Sequence, residues 1–283
     1  MATSDVKQLP KQTAQIILTI PWSEISLSYE KILETVTKTA EIDGFRKGKA
    51  PKKIVEEKVD KAKLYEEVVK DVVPKAYTDA LKEHKLIPVI SPKIELTSAK
   101  QGEDWIITTT IALRPKVDLK DYKDKVRQAK KADTKIWVPG SGDEKKSEEK
   151  KPSLDDILKA LSEYVEVEMS DLLVDNEVNR LLADTFDQTK KLGLSVEQYL
   201  SAKNKTIGQL KAEYQQQAHK SLSIEFALAT IADTENITVS PKDIEEVISK
   251  VEDPKEKERL TKDSYYLAHL IRQQKTLDFL ANL

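Results

Sequence analysis

The residues of this 283-residue chain that could carry chemistry are concentrated in one short segment, residues 43–51, with the sequence Asp-Gly-Phe-Arg-Lys-Gly-Lys-Ala-Pro. Its two glycines, Gly44 and Gly48, lie four positions apart and permit a tight or left-handed backbone. Phe45 lies beside them and has no periodic apolar neighbours that would bury it. All charged residues that follow, as far as Lys53, are cations. An aromatic side chain among uncompensated positive charges suits docking onto an acidic or polyanionic surface.

The residue types of this segment also fit a plain solvated loop between two helices, since glycine and lysine are common in such loops. The segment from 44 to 53 contains five cations, which are Arg46, Lys47, Lys49, Lys52 and Lys53. On the residues alone, a binding loop and a solvated loop are both open interpretations.

The other residues with chemical potential are scattered. The histidines His84, His219 and His269 lie far apart, and none has a second histidine at metal-ligand spacing. Cysteine is absent, which excludes disulfides and thiolate metal sites. Gly44 and Gly48 lack the lysine spacing of a phosphate-binding loop. We therefore predict a protein that has no cofactor, no metal site and no enzymatic activity.

Composition indicates an extended, helical and soluble protein. Apolar residues make up 39% of the chain and charged residues 34%, so the surface is large relative to the core. The net charge of −2 gives no global attraction to nucleic acid. The first nine residues contain no apolar run, and no stretch is long enough to cross a membrane. These observations favour the cytoplasm.

Sequence periodicity predicts a small α+β domain in the first part of the chain. A strand pattern at residues 13–20 and a helical pattern at residues 22–42 precede the basic segment. Pro51 suits the first position of the next helix, because its missing N–H has no helical partner there. A further helical stripe covers residues 64–81, with a kink expected at Pro74. Strand patterns return at residues 93–97 and 103–113, which predicts an antiparallel sheet.

The second part of the chain begins with a polar segment and then becomes helical. Residues 139–152 contain no apolar residue and are predicted to be flexible. The short apolar run at residues 136–138 is compatible with an isolated strand. Helix starts are predicted at Ser153 with Asp156, Ser195 with Gln198, Thr206 with Gln209, and Ser240 with Pro241. Several amphipathic helices with short breaks predict a bundle or paired helical arms.

These patterns predict two domains of different class. Residues 1–117 form an α+β domain with a small antiparallel sheet, and residues 153–283 form an all-α domain with helical arms. A charged flexible linker at residues 118–152 joins them, and the protein is elongated overall.

The segment Gly-Phe-Arg-Lys-Gly-Lys-Ala-Pro, preceded by Ile42 and Asp43 and followed by a helix, resembles the ribosome-docking signature of the trigger factor family. The similarity continues along residues 10–122 in the order of elements. It also covers residues 153–283, in segments such as Val-Glu-Val at 165–167. In the commonest members an isomerase domain separates these regions. The 35 positions of the linker are too few for that domain, so the resemblance implies a form without it.

This resemblance implies a docking partner and a set of binding residues in the loop. The docking partner would be the large ribosomal subunit, with a protein and rRNA at the tunnel exit. Phe45, Arg46 and Lys47 match the family's central docking tripeptide without change. The expected ribosome-binding set is Gly44, Phe45, Arg46, Lys47, Gly48, Lys49 and Pro51.

The helical domain is expected to hold nascent or unfolded polypeptides on exposed apolar patches, without a nucleotide cycle. Core packing is the alternative for each candidate aromatic residue. The candidates are Tyr199, Tyr214, Phe226, Tyr265 and Tyr266. No membrane or DNA partner is expected, and weak self-association is left open.

The alternative function is an RNA-binding or ribosome-assembly factor in which residues 44–53 grip RNA and the helices serve as a scaffold. The near-neutral net charge counts against it, because RNA affinity depends on phosphate neutralisation.

Overall fold

The computed structural model describes residues 2–132, 154–251 and 253–283. These residues form two compact units. The first contains Met1–Arg114 together with Met169–Leu173, and the second contains Pro115–Glu168 and Val174–Leu283.

The first unit is built on a four-stranded antiparallel sheet. Its strands are β1 (Thr3–Leu9), β2 (Thr13–Ile20), β3 (Lys93–Ser98) and β4 (Trp105–Ala112), in the spatial order β1-β2-β4-β3. Successive side chains of a strand point to opposite faces, so the apolar residues of β2 and β4 lie on one face. That face is buried, and the expected α+β class is confirmed for this part of the chain.

Helices α1 (Trp22–Thr39), α2 (Lys52–Lys58) and α3 (Lys61–Glu83) accompany this sheet. Ile25 of α1 and Val68 of α3 pack in the same cluster as Ile16, Leu18 and Ile107 of the sheet. Each fully buried side chain of this kind stabilises the fold by about 1.5–3 kcal/mol. Packing of α1 and α3 on the sheet therefore provides the core of this unit.

Most sequence predictions for this unit agree with the structure. The strand predicted at residues 13–20 has the bounds of β2, and α3 runs through Pro74 without ending. Strand β1 was not predicted, because it contributes few apolar residues to the core face. Pro51 was predicted to be the first helical residue, but it has an extended ψ of 140° and caps α2 from one position earlier.

The second unit is mostly helical. Its helices are α4 (Tyr122–Ala132), α5 (Leu154–Tyr164), α6 (Asp171–Lys191), α7 (Val196–Ala202), α8 (Ile207–Thr234), α9 (Pro241–Ser249), α10 (Pro254–Lys262) and α11 (Ser264–Ala281). A two-stranded ribbon pairs β5 (Lys116–Asp118) with β6 (Glu166–Glu168). An all-α domain was expected, and this ribbon was missed because strands of three residues show no periodicity.

Helix α4 lies where the sequence suggested flexible linker. Tyr122 and Val126 are buried in a cluster with Ile157, Leu161 and Ile231. The Tyr122 hydroxyl also donates a hydrogen bond of 2.8 Å to Glu235, which fastens α4 to the end of α8. The prediction of a flexible linker is therefore wrong for α4. Two apolar side chains in this charged segment suffice to bury one face of the helix. The predicted strand at residues 136–138 and the helix start at Ser153 lie outside the described residues.

Three predicted helix starts are confirmed. Ser195, Thr206 and Ser240 each accept a hydrogen bond from the backbone N–H three positions later, and the side chain at that position bonds back. Such reciprocal caps satisfy N–H groups that have no partner within the helix. No helix in the described ranges combines the length and apolarity needed to cross a bilayer.

Asp243 connects one of these caps to a second helix. It accepts hydrogen bonds from the backbone N–H and the hydroxyl of Ser240, at 2.7 and 2.8 Å, and lies 2.7 Å from the Lys275 ammonium on α11. The bond to Lys275, followed by those to Ser240, lowers the pKa of Asp243 from 3.8 to about 2.

We expect Asp243→Asn to lower the thermal midpoint at pH 7. The ionised carboxylate stabilises the fold above the unfolded pKa of 3.8, and this contribution is lost as the pH falls towards 2. The difference from the parent chain should therefore shrink between pH 4 and pH 2, roughly at the two pKa values. Thermal unfolding followed by circular dichroism at several pH values measures it. Glu246→Gln, which removes an exposed pair within α9, is the control and should change the midpoint less.

Candidate functional site

The basic segment forms a loop between α1 and α2 that apolar packing anchors near both ends. Ala50 packs with Leu33, Val55 and Leu64, which come from α1, α2 and α3. Ile42 packs against the same cluster from the other end of the loop. The three helices therefore hold the base of the loop in place.

Helix α2 is held beside the loop by a polar contact from α1. The Tyr29 hydroxyl donates a hydrogen bond of 3.0 Å to Glu56. Burial, followed by this contact with Glu56, raises the pKa of Tyr29 to about 12. The hydroxyl therefore stays protonated and keeps its role as a donor at neutral pH.

Backbone hydrogen bonds fold the loop on itself. The Phe45 amide donates to Ile42 at 3.0 Å, and the Lys49 amide donates to Arg46 at 2.9 Å. A third bond, from the Gly48 amide to the Ala40 carbonyl at 3.1 Å, closes the loop onto the end of α1. These bonds satisfy backbone groups locally, so the loop has a defined conformation before any partner binds.

The two glycines have different functions in this conformation. Both have positive φ, +88° at Gly44 and +72° at Gly48, where residues with a side chain are strained. A Cβ added at Gly44 would meet no atom within 4 Å. A Cβ at Gly48 would lie 2.5 Å from the Lys38 carbonyl oxygen, which belongs to the backbone of α1. Gly48 is therefore required for close approach as well as for its dihedral angle.

The outer part of the loop presents the predicted side chains to solvent. Phe45 is 41% exposed, which is high for a phenylalanine. Arg46, Lys47 and Lys49 are exposed around it. The structure thus brings together the residues from Gly44 to Lys49 at one tip, while Pro51 lies at the base as the N-cap of α2.

One cation of the tip has an intramolecular partner. The Lys47 ammonium lies 2.7 Å from the Glu41 carboxylate, and both side chains are well exposed. The Arg46 side chain beside it is exposed as well. A partner that binds Lys47 must compete with Glu41.

Among the candidate client-binding aromatics, the structure brings the Tyr199 and Tyr214 side chains together. Tyr265 and Tyr266 begin α11, and Tyr265 is 90% exposed. Tyr199, Tyr214 and Phe226 are half-buried on α7 and α8. Tyr214 and Thr185 share a hydrogen bond of 2.7 Å between their hydroxyl groups.

Sequence reasoning missed a group of exposed apolar residues in the second unit. Leu192 and Leu194 follow the end of α6, and Ile207 is the first residue of α8. All three are exposed. The sequence could have indicated these three residues, because they are apolar, lie at turns and do not belong to a helical stripe.

We expect Gly48→Ala to disrupt the loop more than Gly44→Ala. Both variants acquire the strain of about 1–2 kcal/mol that a side chain causes at positive φ. Only Gly48→Ala adds a contact with the α1 backbone, which should break the bond between residue 48 and Ala40. Hydrogen exchange of the residue-48 amide should therefore be at least tenfold faster in Gly48→Ala than in Gly44→Ala, roughly the effect of 1.4 kcal/mol. Equal exchange in the two variants would contradict the role assigned to Gly48.

Two family models match this chain. The model for "Bacterial trigger factor protein (TF)" matches residues 2–136, and the model for "Bacterial trigger factor protein (TF) C-terminus" matches residues 141–282. Between them lie only residues 137–140, and no isomerase-domain model matches there.

Individual relatives agree with these matches. The trigger factor of Streptococcus pneumoniae strain JJA is 37% identical over 116 residues, which are 40% of this chain and 27% of that protein. The trigger factor of Streptococcus pneumoniae serotype 2, strain D39, is 36% identical over the same shares. The matched part thus spans about a quarter of the length of these relatives.

One solved structure has the same fold over nearly the whole chain. It is described as "Promiscuous Substrate Recognition in Folding and Assembly Activities of the Trigger Factor Chaperone". It is 15% identical, has a TM-score of 0.64, and the alignment covers 98% of this chain and 99% of that one. The resemblance noted in the sequence is confirmed by the family models, and the chain belongs to the trigger factor family.

Proposed function

We propose that this protein is an ATP-independent chaperone that docks beside the ribosomal tunnel exit and shields hydrophobic segments of nascent chains. The observation that carries the proposal is the loop of residues 43–51, which is anchored at its base by buried Ala50 and whose tip exposes Phe45 among cations. A site held in its binding conformation loses little entropy on association. The family assignment supports the same function.

Each exposed side chain of the tip has a chemical role in this proposal. Phe45 enters an apolar crevice of a ribosomal protein, where burial of the ring drives association. Arg46 bonds bidentately to a carboxylate or phosphate, which its planar guanidinium suits. Lys47 and Lys49 add a salt-dependent attraction to rRNA.

The proposal also divides the chain by function. Residues 1–117 dock to the large subunit and residues 153–283 hold unfolded polypeptide, in the cytoplasm. The exposed aromatic pair Tyr265 and Tyr266 supports a client surface in the helical part, because exposed apolar patches mark binding sites. Tyr199, Tyr214 and Phe226 remain proposed contacts of lesser exposure.

Absence of isomerase activity is part of the proposal. The two matched family regions leave only residues 137–140 between them. A domain with a sheet and an aromatic pocket needs far more chain than that. The protein therefore acts by binding alone.

We expect the variant Phe45→Ala/Arg46→Ala/Lys47→Ala to lose co-sedimentation with ribosomes at moderate salt. It removes the apolar anchor and two of the cations without touching the buried base of the loop. The matched control, Lys61→Ala/Lys63→Ala, removes two exposed cations from the start of α3 and should sediment like the parent. Retained binding in the triple variant would exclude the loop as the anchor.

The same proteins discriminate the RNA-binding alternative. That function requires tight binding to free rRNA, with a log–log salt slope of roughly −3.5 to −4.5 for the five cations of residues 44–53. Ribosome docking through Phe45 instead requires ribosomal protein, so free rRNA should bind weakly. Suppression of aggregation of a refolding client, measured without ribosomes, should survive in the triple variant.

We further expect Glu41→Gln to strengthen ribosome binding modestly. The change frees Lys47 from its 2.7 Å partner and removes a negative charge near the docking tip. An exposed pair contributes about 0.2–1 kcal/mol, so the dissociation constant should fall by up to about fivefold. Glu34→Gln is the matched control, because Glu34 forms a similar exposed pair with Lys38 on α1. Equal gains in both variants would mean that only net charge matters.

A further inference from the structure

Strand β3 forms one edge of the sheet in the first unit. It pairs with β4 on one side, and no strand of the described part of the chain pairs with its other side. Its residues from Lys93 to Thr97 are all exposed. An edge strand of this kind presents a row of backbone N–H and C=O groups that can bond to another chain.

Two apolar side chains of β3 point to the covered face of the sheet and are nevertheless exposed. Ile94 lies opposite Thr109 and Leu96 lies opposite Ile107, and both partners on β4 are fully buried. Opposite residues of an antiparallel pair share a face, so Ile94 and Leu96 are on the core side. They are 47% and 51% exposed because α3 packs over β1 and β2, at the far side of the sheet.

The other face of β3 is polar without net charge. The Lys93 ammonium lies 2.8 Å from the Glu95 carboxylate, so these two charges compensate each other. The hydroxyl groups of Thr97 and Thr108 share a hydrogen bond of 2.7 Å. A chain added beside β3 meets apolar side chains on one face and a neutral polar surface on the other.

We propose that the edge of β3 is a second docking surface for clients, which binds an extended, uncharged polypeptide segment with apolar side chains at alternate positions. The segment adds to the sheet as a fifth strand. Its backbone bonds to β3, and its apolar residues cover Ile94 and Leu96. Backbone pairing tolerates many sequences, as a client surface requires. This inference rests on the proposed chaperone function.

A second copy of this chain fits the same edge less well. Antiparallel pairing centred on Glu95 would place the two Glu95 carboxylates opposite each other. Pairing centred on Ile94 would place Pro92, which has no N–H, opposite Leu96. The bulge between Leu96 and Ser98 ends the regular edge in either register. So short a pairing buries far less than the roughly 1,200 Å² of a stable interface. An unfolded segment adapts to this edge more easily.

The test measures binding of a dye-labelled ten-residue peptide of alternating valine and threonine to the full chain without ribosomes, by fluorescence anisotropy. Ile94→Asp/Leu96→Asp should weaken binding at least tenfold. The milder Ile94→Thr/Leu96→Thr should weaken it several-fold and serves if the first variant fails to fold. Leu27→Asp is the matched control, because it changes an exposed leucine of α1 that lies beside β1, at the other edge of the sheet. This control should bind the peptide within twofold of the parent.

A second probe tests the backbone pairing itself. The same peptide with every amide N-methylated keeps its side chains but cannot donate backbone hydrogen bonds, so its binding should fall at least tenfold. Undiminished binding of this peptide, or loss in Leu27→Asp rather than in the β3 variants, would overturn the proposal.

Two further measurements distinguish client binding at β3 from self-association and from ribosome docking. Sedimentation velocity that shows an oligomer of the parent and a monomer of Ile94→Asp/Leu96→Asp, with peptide binding unchanged, would assign the edge to a second copy and overturn the proposal. Ribosome co-sedimentation of this variant should equal that of the parent. If the β3 variants bind the peptide normally, the proposal of ribosome docking is unaffected. If the chain does not bind ribosomes, the peptide experiment still tests the β3 proposal.

Discussion

Burial of the alternating apolar residues of β2 and β4 beneath α1 and α3 is the interaction on which the first unit depends. Ile16, Leu18 and Ile107 are removed from water there together with side chains of both helices. The hydrophobic effect provides most of the stability of such a small domain. The area of the sheet that α1 and α3 cover also decides which of its side chains stay exposed, since two helices are too few to cover four strands.

The conformation of the basic loop at residues 43–51 follows from the position of α1 on the sheet. Because α1 is packed along its length, its last turn is a fixed support to which the loop attaches through Gly48 and Ala40. The base of the loop contributes Ala50 to a cluster shared by three helices. Apolar side chains therefore stay buried at the base, and the exposed tip is left to the phenylalanine and the cations.

The two units present apolar surface in different ways. In the first, exposure occurs at a loop tip and along a sheet edge, where backbone geometry limits what can bind. In the second, exposed residues such as Leu192 and Tyr265 lie at turns and helix ends. Helix interiors there bury their apolar stripe, as Leu161 and Ile231 do. Apolar surface at helix ends and turns stays exposed after folding without weakening the core.

Local patterns in the sequence determined the strand β2, the helix starts at Ser195, Thr206 and Ser240, and the basic loop at residues 43–51, because each depends on interactions within a few residues. They also determined the family, through the segment from Gly44 to Pro51. Tertiary structure alone decided the rest. The charged stretch after residue 118 forms a packed helix because Tyr122 reaches a core built from distant helices. Gly48 needs to be glycine because of the Lys38 carbonyl, and Ile94 is exposed because α3 packs over β1 and β2 and leaves the β3 edge of the same face uncovered. Such outcomes depend on which distant elements come together, and no local pattern encodes that.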